Sequence, residues 1–212
     1  MAELFPVFCG LACEIERRPA PPLPEAEAVA MKTAVEARKS SFAAGRTAAR
    51  KALEKFGLPD AVIPAGTDRA PSWPPGMTGS ISHAGGLAVA VAARLGDLAA
   101  VGVDLERTAA VSRDLWPSLL VAGEIRFLNS SARAEQDRLA TVMFSIKEAF
   151  FKYQYPHTRK WIDFREVEIE LAVEADAWTL APAMPVIIAG KTIGALRGHY
   201  RVGDAFTLAA AY

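Results

Sequence analysis

The chain has 212 residues, with 24 Lys or Arg and 24 Asp or Glu, so its formal net charge is zero. Hydrophobic residues make up 51% of the chain, which is enough apolar mass to bury a core and excludes a disordered chain. A zero net charge gives no global field that would attract nucleic acid, so no nucleic-acid partner is expected. The length suits one sizeable domain or two small halves.

The two cysteines, Cys9 and Cys13, are too few for a disulfide framework, and no histidine lies near them in sequence to complete a zinc site. We predict that both are core thiols of a cytoplasmic protein. The N-terminal apolar run has no basic segment before it and is predicted to be a buried strand rather than a signal peptide. No uninterrupted apolar stretch reaches the roughly 20 residues of a membrane span, so no integral span is expected.

The first half of the chain combines helical and strand patterns. Residues 25–56 are rich in Ala and charged side chains and predict helix, with Gly45 as a possible break. A loop rich in Pro and Gly follows over residues 59–79. Extended segments are predicted after it, at residues 81–83, 87–94 and 100–106.

The second half repeats this combination. Helices are predicted at residues 111–128 and 135–153, and strands at residues 164–173, 178–181, 185–188, 193–202 and 206–211. Each half contains helix and ends in antiparallel-type strands, which predicts an α+β protein of two similar α/β halves in a pseudo-dimeric arrangement. The predicted halves are residues 1–108 and 109–212.

Two carboxylates stand at the end of the last strand in the first half. Period-2 geometry puts Asp104 and Glu106 on the same face of that strand. Two carboxylates that project together repel each other unless a cation lies between them, and Mg²⁺ favours such oxygen ligands. The alternative is a solvated strand end next to Arg107.

A polar face on the second long helix carries two further charged groups. Glu148 could add a third carboxylate to the strand pair, and Lys152 could hold an anion beside the metal. The alternative is an ordinary surface pair of Glu and Lys four residues apart.

Two other segments could bind phosphate. The loop Gly79–Gly86 presents His83 between small residues. The helix before it carries a run of cations, Arg38, Arg46, Arg50 and Lys51, that could bind a multiply charged ligand. A structural histidine and a solvated helix face are the alternatives.

In this order and at these distances, the segments resemble the 4′-phosphopantetheinyl transferases, within them the surfactin-type branch and its enterobactin-synthase-associated subgroup. The resemblance rests on residues 42–53, 71–86, 102–106, 144–152 and 158–164. It implies transfer of the phosphopantetheine arm of coenzyme A to a serine of an apo acyl, peptidyl or aryl carrier protein, with Mg²⁺ as cofactor and Mn²⁺ as the alternative metal. Adenosine 3′,5′-bisphosphate is the implied second product.

The resemblance also implies where the site lies and which residues form it. It implies a monomer of two similar α/β halves with the active site in the cleft between them. The implied metal ligands are Asp104, Glu106 and Glu148. Glu148 is also the implied base, acting directly or through a water, and Lys152 neutralises charge on the phosphate under attack. The implied groups that bind coenzyme A are Arg38, Arg46, Arg69, His83, Lys147 and Lys152.

Two other functions fit parts of the pattern. A Mg²⁺-dependent phosphohydrolase could use the same three carboxylates. A non-catalytic module that binds coenzyme A or carrier proteins could keep the cations, although loss of a metal carboxylate would be its signature and Asp104, Glu106 and Glu148 are all present.

Overall fold

The computed structural model describes residues 4–212. Its helices are α1 (Glu25–Ala28), α2 (Glu36–Glu54), α3 (Trp116–Leu119), α4 (Ala122–Ser130) and α5 (Gln136–Thr158). Its strands are β1 (Gly10–Ile15), β2 (Met77–Ala84), β3 (Leu87–Arg94), β4 (Gly102–Arg107), β5 (Val167–Ala172), β6 (Ala177–Pro182), β7 (Val186–Ile188), β8 (Lys191–Ile193), β9 (Leu196–Val202) and β10 (Phe206–Ala211). Within residues 4–212, no helix is both long enough and apolar enough to cross a bilayer.

The strands form two main antiparallel sheets and a small hairpin. The first sheet has the order β1-β3-β2, the second has the order β4-β10-β9-β6-β5, and β7 pairs with β8. The series β1, α2, β2, β3 therefore recurs as β4, α5, β9, β10 with the same strand order. This recurrence confirms the prediction of an α+β fold with two similar α/β halves.

Matching glycines bring each long helix close to the first strand of its half. A Cβ atom on Gly10 would lie 1.9 Å from the carbonyl oxygen of Ala52 in α2, and one on Gly102 would lie 1.9 Å from that of Ala149 in α5. Any other residue would force the helix away from its strand. Because Ala149 follows Glu148 directly, the contact at Gly102 brings this part of α5 over β4.

The pairing of β4 differs from the predicted division of the chain. Asp104 lies opposite Ala209 of β10, so β4 belongs by hydrogen bonding to the second half. The predicted boundary after residue 108 placed this strand in the first half, because the sequence shows strands but not their partners. We therefore propose that the halves divide between β3 and β4.

An apolar core joins the two sheets. Val89 and Val91 of β3 belong to one buried cluster with Val103 and Leu105 of β4 and Leu208 of β10. A second cluster lies between α5 and the five-stranded sheet, and a third lies under α2. The halves are therefore held together by buried apolar contact rather than by a linker. This contact fixes the position of β2 relative to β4.

Candidate active site

A buried polar cluster lies where β2 meets β4 and α5. The Ser82 hydroxyl donates a hydrogen bond to Asp104 Oδ1 at 2.9 Å. Lys152 Nζ donates to the same Asp104 oxygen at 2.6 Å and to Ser82 Oγ at 2.9 Å. Asp104 is only 2% exposed. The structure thus brings Ser82 of the first half into contact with Asp104 and Lys152 of the second half. The sequence had predicted that Asp104 and Lys152 lie in the same site.

The three predicted carboxylates influence one another. Burial, together with the charges of Asp104 and Glu148 and against the opposing effect of Lys152, raises the pKa of Glu106 from 4.5 to about 7. Burial also raises the pKa of Glu148, where Lys152 opposes the shift and Asp104 adds to it. The charge of Asp104 therefore makes both glutamates harder to ionise.

The donor set of this cluster fits a hard divalent cation, although no complete cage is formed. Within the described residues 4–212, no group of three or more His, Cys, Asp or Glu side chains is arranged to hold a metal ion. Asp104 Oδ2 is nevertheless buried and has no hydrogen-bond partner. Mg²⁺ is usually bound by one or two carboxylates together with phosphate oxygens of a substrate, so a partial set of oxygen ligands suits it.

The raised pKa of Glu106 gives a prediction about stability. Between pH 4.5 and about 7 the folded protein keeps a proton on Glu106 that the unfolded chain has lost, so the contribution of this group to stability falls as pH rises through that window. We expect Glu106→Gln to raise the melting temperature in EDTA at pH 8 and to raise it less at pH 5.5. Thermal unfolding at the two pH values measures this, and an equal gain at both would contradict it.

His83 lies next to a cation on the neighbouring helix. Arg38 Nη1 of α2 lies 3.3 Å from His83 Nε2. Burial lowers the pKa of His83, and the charges of Arg38 and Lys152 lower it further. The imidazole is therefore neutral at neutral pH and accepts a hydrogen bond from Arg38, and an anion between the two groups would favour its charged form.

Arg46 is a buried cation on α2, eight residues after Arg38. It is 5% exposed, its guanidinium carbon lies 4.2 Å from the centre of the Phe42 ring, and its Nε has no hydrogen-bond partner. Burial lowers the pKa of Arg46 to about 10, which still leaves it charged at neutral pH. By contrast, Arg50 donates to both oxygens of Glu27 at 2.8 and 3.0 Å, so its charge is already compensated.

Arg69 lies in the loop between α2 and β2. Arg69 and Lys152 both line a cavity of about 950 Å³ between the 66–73 loop, β2 and the end of α5. Phe151 and Trp161 line the same cavity, and their ring centroids are 5.0 Å apart. Arg69 itself is exposed and has a positive φ of 67°. Arg69 and Lys152 therefore share this cavity, which is the geometric link between Arg69 and the cluster.

Lys147 lies away from this site, contrary to the expectation that it binds coenzyme A. Its ammonium donates to Glu124 Oε2 at 2.7 Å and to the carbonyl oxygens of Leu119 and Phe164 at 3.0 and 2.8 Å. The side chains of Lys147 and Glu124 are both 0% exposed. All three donors of the ammonium are used inside the second half, so Lys147 is a structural residue.

Sequence reasoning missed the roles of two serines in this site. Ser80 and Ser82 are both buried on β2, at 4% and 7% exposure, and both bond to β4. Their spacing of two was the available signal, since it puts both hydroxyls on one face of a strand. Nothing in the sequence named β4 as the element opposite that face.

Sequence comparisons identify related proteins. A profile described as "4'-phosphopantetheinyl transferase N-terminal domain" matches residues 25–93, and one described as "4'-phosphopantetheinyl transferase superfamily" matches residues 100–180. The chain is 33% identical over 188 residues to 4′-phosphopantetheinyl transferase Svp of Streptomyces mobaraensis, which covers 87% of this chain and 76% of that protein. It is 31% identical over 196 residues to 4′-phosphopantetheinyl transferase PptT of Mycobacterium tuberculosis, covering 89% and 85% of the two chains.

Two other likenesses are more limited. Enterobactin synthase component D of Escherichia coli K12 is 37% identical over 118 residues, which are 54% of each chain. The crystal structure of holo-[acyl-carrier-protein] synthase from Thermotoga maritima matches 53% of this chain and 62% of its own at 19% identity. The TM-score of this structural match is 0.41. The identity shared with full-length relatives over most of both chains decides the assignment, and this chain belongs to the 4′-phosphopantetheinyl transferase family.

Proposed function

We propose that this enzyme transfers the 4′-phosphopantetheine group of coenzyme A to a serine of an apo carrier protein in a Mg²⁺-dependent reaction. Membership of the family supports phosphopantetheine transfer to carrier proteins in general. The single observation that carries the finer proposal is the cluster of Asp104, Lys152 and Ser82 between the two halves. It combines oxygen ligands for a cation with a cation for phosphate, as a pyrophosphate substrate requires.

The proposed reaction is a phosphoryl transfer. The serine oxygen of the carrier forms a bond to the phosphorus that bears the pantetheine arm, and the bond from that phosphorus to the bridging oxygen breaks. Adenosine 3′,5′-bisphosphate leaves with the electron pair, and the serine proton passes to Glu148 directly or through a water. Bound Mg²⁺, held by Asp104, Glu106 and Glu148, would supply charge stabilisation for the pyrophosphate oxygens.

The chain's own residues position and neutralise the reacting groups. Lys152 is one-quarter exposed, at 24%, and lines the cavity beside the cluster, so its ammonium can turn from Asp104 to a phosphate oxygen. The raised pKa of Glu148 brings this carboxyl closer to the range in which a general base is effective. Such positioning and charge stabilisation provide most of the catalysis in phosphoryl transfer.

Arg38, Arg46 and His83 are proposed to bind the phosphates of the nucleotide end. They come from α2 and β2 of the first half, whereas the proposed metal ligands come from β4 and α5. A single chain thus supplies both sides of the proposed site, and we propose that the protein acts as a monomer.

Intact-mass spectrometry tests the proposed reaction directly. The protein is incubated with an apo carrier domain, coenzyme A and Mg²⁺, and a matched sample contains EDTA. We expect the carrier to gain the mass of one phosphopantetheine only when the metal is present. No gain over several carriers, with coenzyme A still bound, would favour a non-catalytic module. Release of phosphate from coenzyme A without a gain on the carrier would favour a phosphohydrolase.

Arg46 gives a prediction about recognition of the nucleotide end. We expect Arg46→Ala to weaken binding of coenzyme A by about 10-fold or more, because a charge-assisted hydrogen bond in a buried site is lost. If Arg46 binds the 3′-phosphate, 3′-dephospho-coenzyme A should bind wild type and variant almost equally. Calorimetric titration of both ligands measures this. Equal weakening for the two ligands would contradict that contact. The control is Lys39→Ala, which removes a partly exposed cation of the same helix.

A further inference from the structure

The contact between β2 and β4 is made by side chains rather than by strand pairing. The two strands belong to different sheets. Where they adjoin, the Ser80 hydroxyl accepts a hydrogen bond from the backbone N–H of Val103 at 3.0 Å and donates to the carbonyl oxygen of Val103 at 3.5 Å. One buried hydroxyl thus satisfies both backbone groups of the residue that precedes Asp104.

Ser82 makes the next contact along the same face. Its hydroxyl has a single proton, which it donates to Asp104 Oδ1, while its oxygen accepts a bond from Lys152. Asp104 Oδ1 therefore receives two hydrogen bonds, from Ser82 and Lys152. Asp104 Oδ2 is buried and receives none. Oδ2 is therefore the oxygen of this carboxylate whose lone pairs remain for a cation.

We infer that Ser80 and Ser82 are positioning residues through which the first half fixes the Asp104 carboxylate of the second half for metal binding. Ser80 fixes the backbone of β4, and Ser82 fixes the rotation of the carboxylate. The inference rests on the proposed function, because it takes Asp104 as a metal ligand. Neither serine is assigned contact with the metal or with the phosphate under attack.

The test compares Ser80→Ala and Ser82→Ala with a matched control. Thr141 is a fully buried residue whose hydroxyl accepts a hydrogen bond from Val111 N at 3.0 Å, as Ser80 does from Val103. Thr141→Val therefore removes the same kind of bond from α5 without touching β2 or β4. The measured quantity is the affinity for Mn²⁺, followed by electron paramagnetic resonance in the presence of saturating coenzyme A.

We expect each serine variant to weaken Mn²⁺ binding by about 10- to 100-fold, the range seen when a partner of a metal ligand is removed. Thr141→Val should lower the melting temperature about as much as Ser80→Ala but leave Mn²⁺ affinity within about two-fold of the wild type. Amide hydrogen exchange at Val103 should become faster in Ser80→Ala and stay unchanged in Ser82→Ala.

Serine variants that bind Mn²⁺ as well as the wild type would overturn the inference, and so would an equal loss in Thr141→Val. If Ser80→Ala does not fold, Ser82→Ala alone decides, because it removes no backbone contact. Failure of the proposed function has a different signature, since the wild-type protein would then transfer no phosphopantetheine whatever the serine variants do.

Discussion

Replacement of Asp104 by asparagine is expected to lower the rate of phosphopantetheine transfer by at least about 10²-fold, the usual loss when an electrostatic group in an active site is removed. The amide oxygen can still accept the bonds from Ser82 and Lys152. The NH₂ group of the asparagine then takes the place of Oδ2, the oxygen that has no hydrogen-bond partner. A donor of hydrogen bonds would thus stand where a cation needs an acceptor.

The same change should leave the fold intact, so that loss of activity can be separated from unfolding. Lys152 is partly exposed and can be hydrated when its partner loses its charge. The charge of Asp104 also raises the pKa of Glu106, so we expect the pKa of Glu106 to fall towards its ordinary value in Asp104→Asn. Nuclear magnetic resonance titration of the Glu106 carboxyl in metal-free protein measures that shift.

Steady-state rates on an apo carrier measure the main effect, with Asp60→Asn as the control. Asp60 is an exposed carboxylate in the loop after α2, and its replacement should change the rate less than two-fold. Coenzyme A affinity in EDTA should be similar in Asp104→Asn and wild type. Transfer by Asp104→Asn within ten-fold of the wild-type rate would remove Asp104 from the proposed metal ligands.

The parts of the site that were predictable depend on local geometry. Asp104 and Glu106 share a face because side chains alternate along any strand, and Glu148 and Lys152 share one because they are a helical turn apart. What these faces meet is not local. The pair of Arg38 and His83 joins residues 45 positions apart, and the bond from Lys152 to Ser82 joins residues 70 apart. Only the family resemblance linked these segments.

The fold shows the same limit. The bounds of β3 and β10 were predicted correctly, because each is a short apolar run bounded by turn residues. Helix α2 continues through Gly45, where the sequence had suggested a possible break. The role of this glycine is to allow close packing against β2. A Cβ atom there would lie 2.9 Å from the Cγ2 atom of Ile81. The helix predicted at residues 111–128 is instead divided, since Leu120 adopts an extended conformation after α3.

Lys147 shows most clearly why burial could not be inferred from the sequence. It stands between Ile146 of the core and Glu148 of the site, in a segment that the resemblance associates with coenzyme A. The groups that bind its ammonium come from the end of α3, from α4 and from the residues before β5. A helical pattern does not report which elements fold over it.

We expect Lys147→Met to destabilise the protein by about 3–5 kcal/mol, the typical cost when one partner of a buried ion pair is removed. Glu124 would keep a buried charge, although it still accepts hydrogen bonds from the backbone N–H groups of Val121 and Ile169 at 2.8 and 2.9 Å. Denaturant unfolding measures the loss. Lys152→Met, which removes a partly exposed lysine of the same helix, should cost much less stability and should abolish most transfer.

A second substitution separates the charge effect from lost packing. In Lys147→Met/Glu124→Gln the buried charge is gone, while the amide oxygen of the glutamine can still accept from a backbone N–H, so we expect the double variant to recover much of the stability. The carbonyl oxygens of Leu119 and Phe164 stay without their donor, which limits the recovery. If Lys147 instead bound coenzyme A, the single variant would keep its stability and show a higher KM for coenzyme A. Because the ammonium already makes three hydrogen bonds inside a region closed to solvent, the loss should appear in unfolding and not in KM.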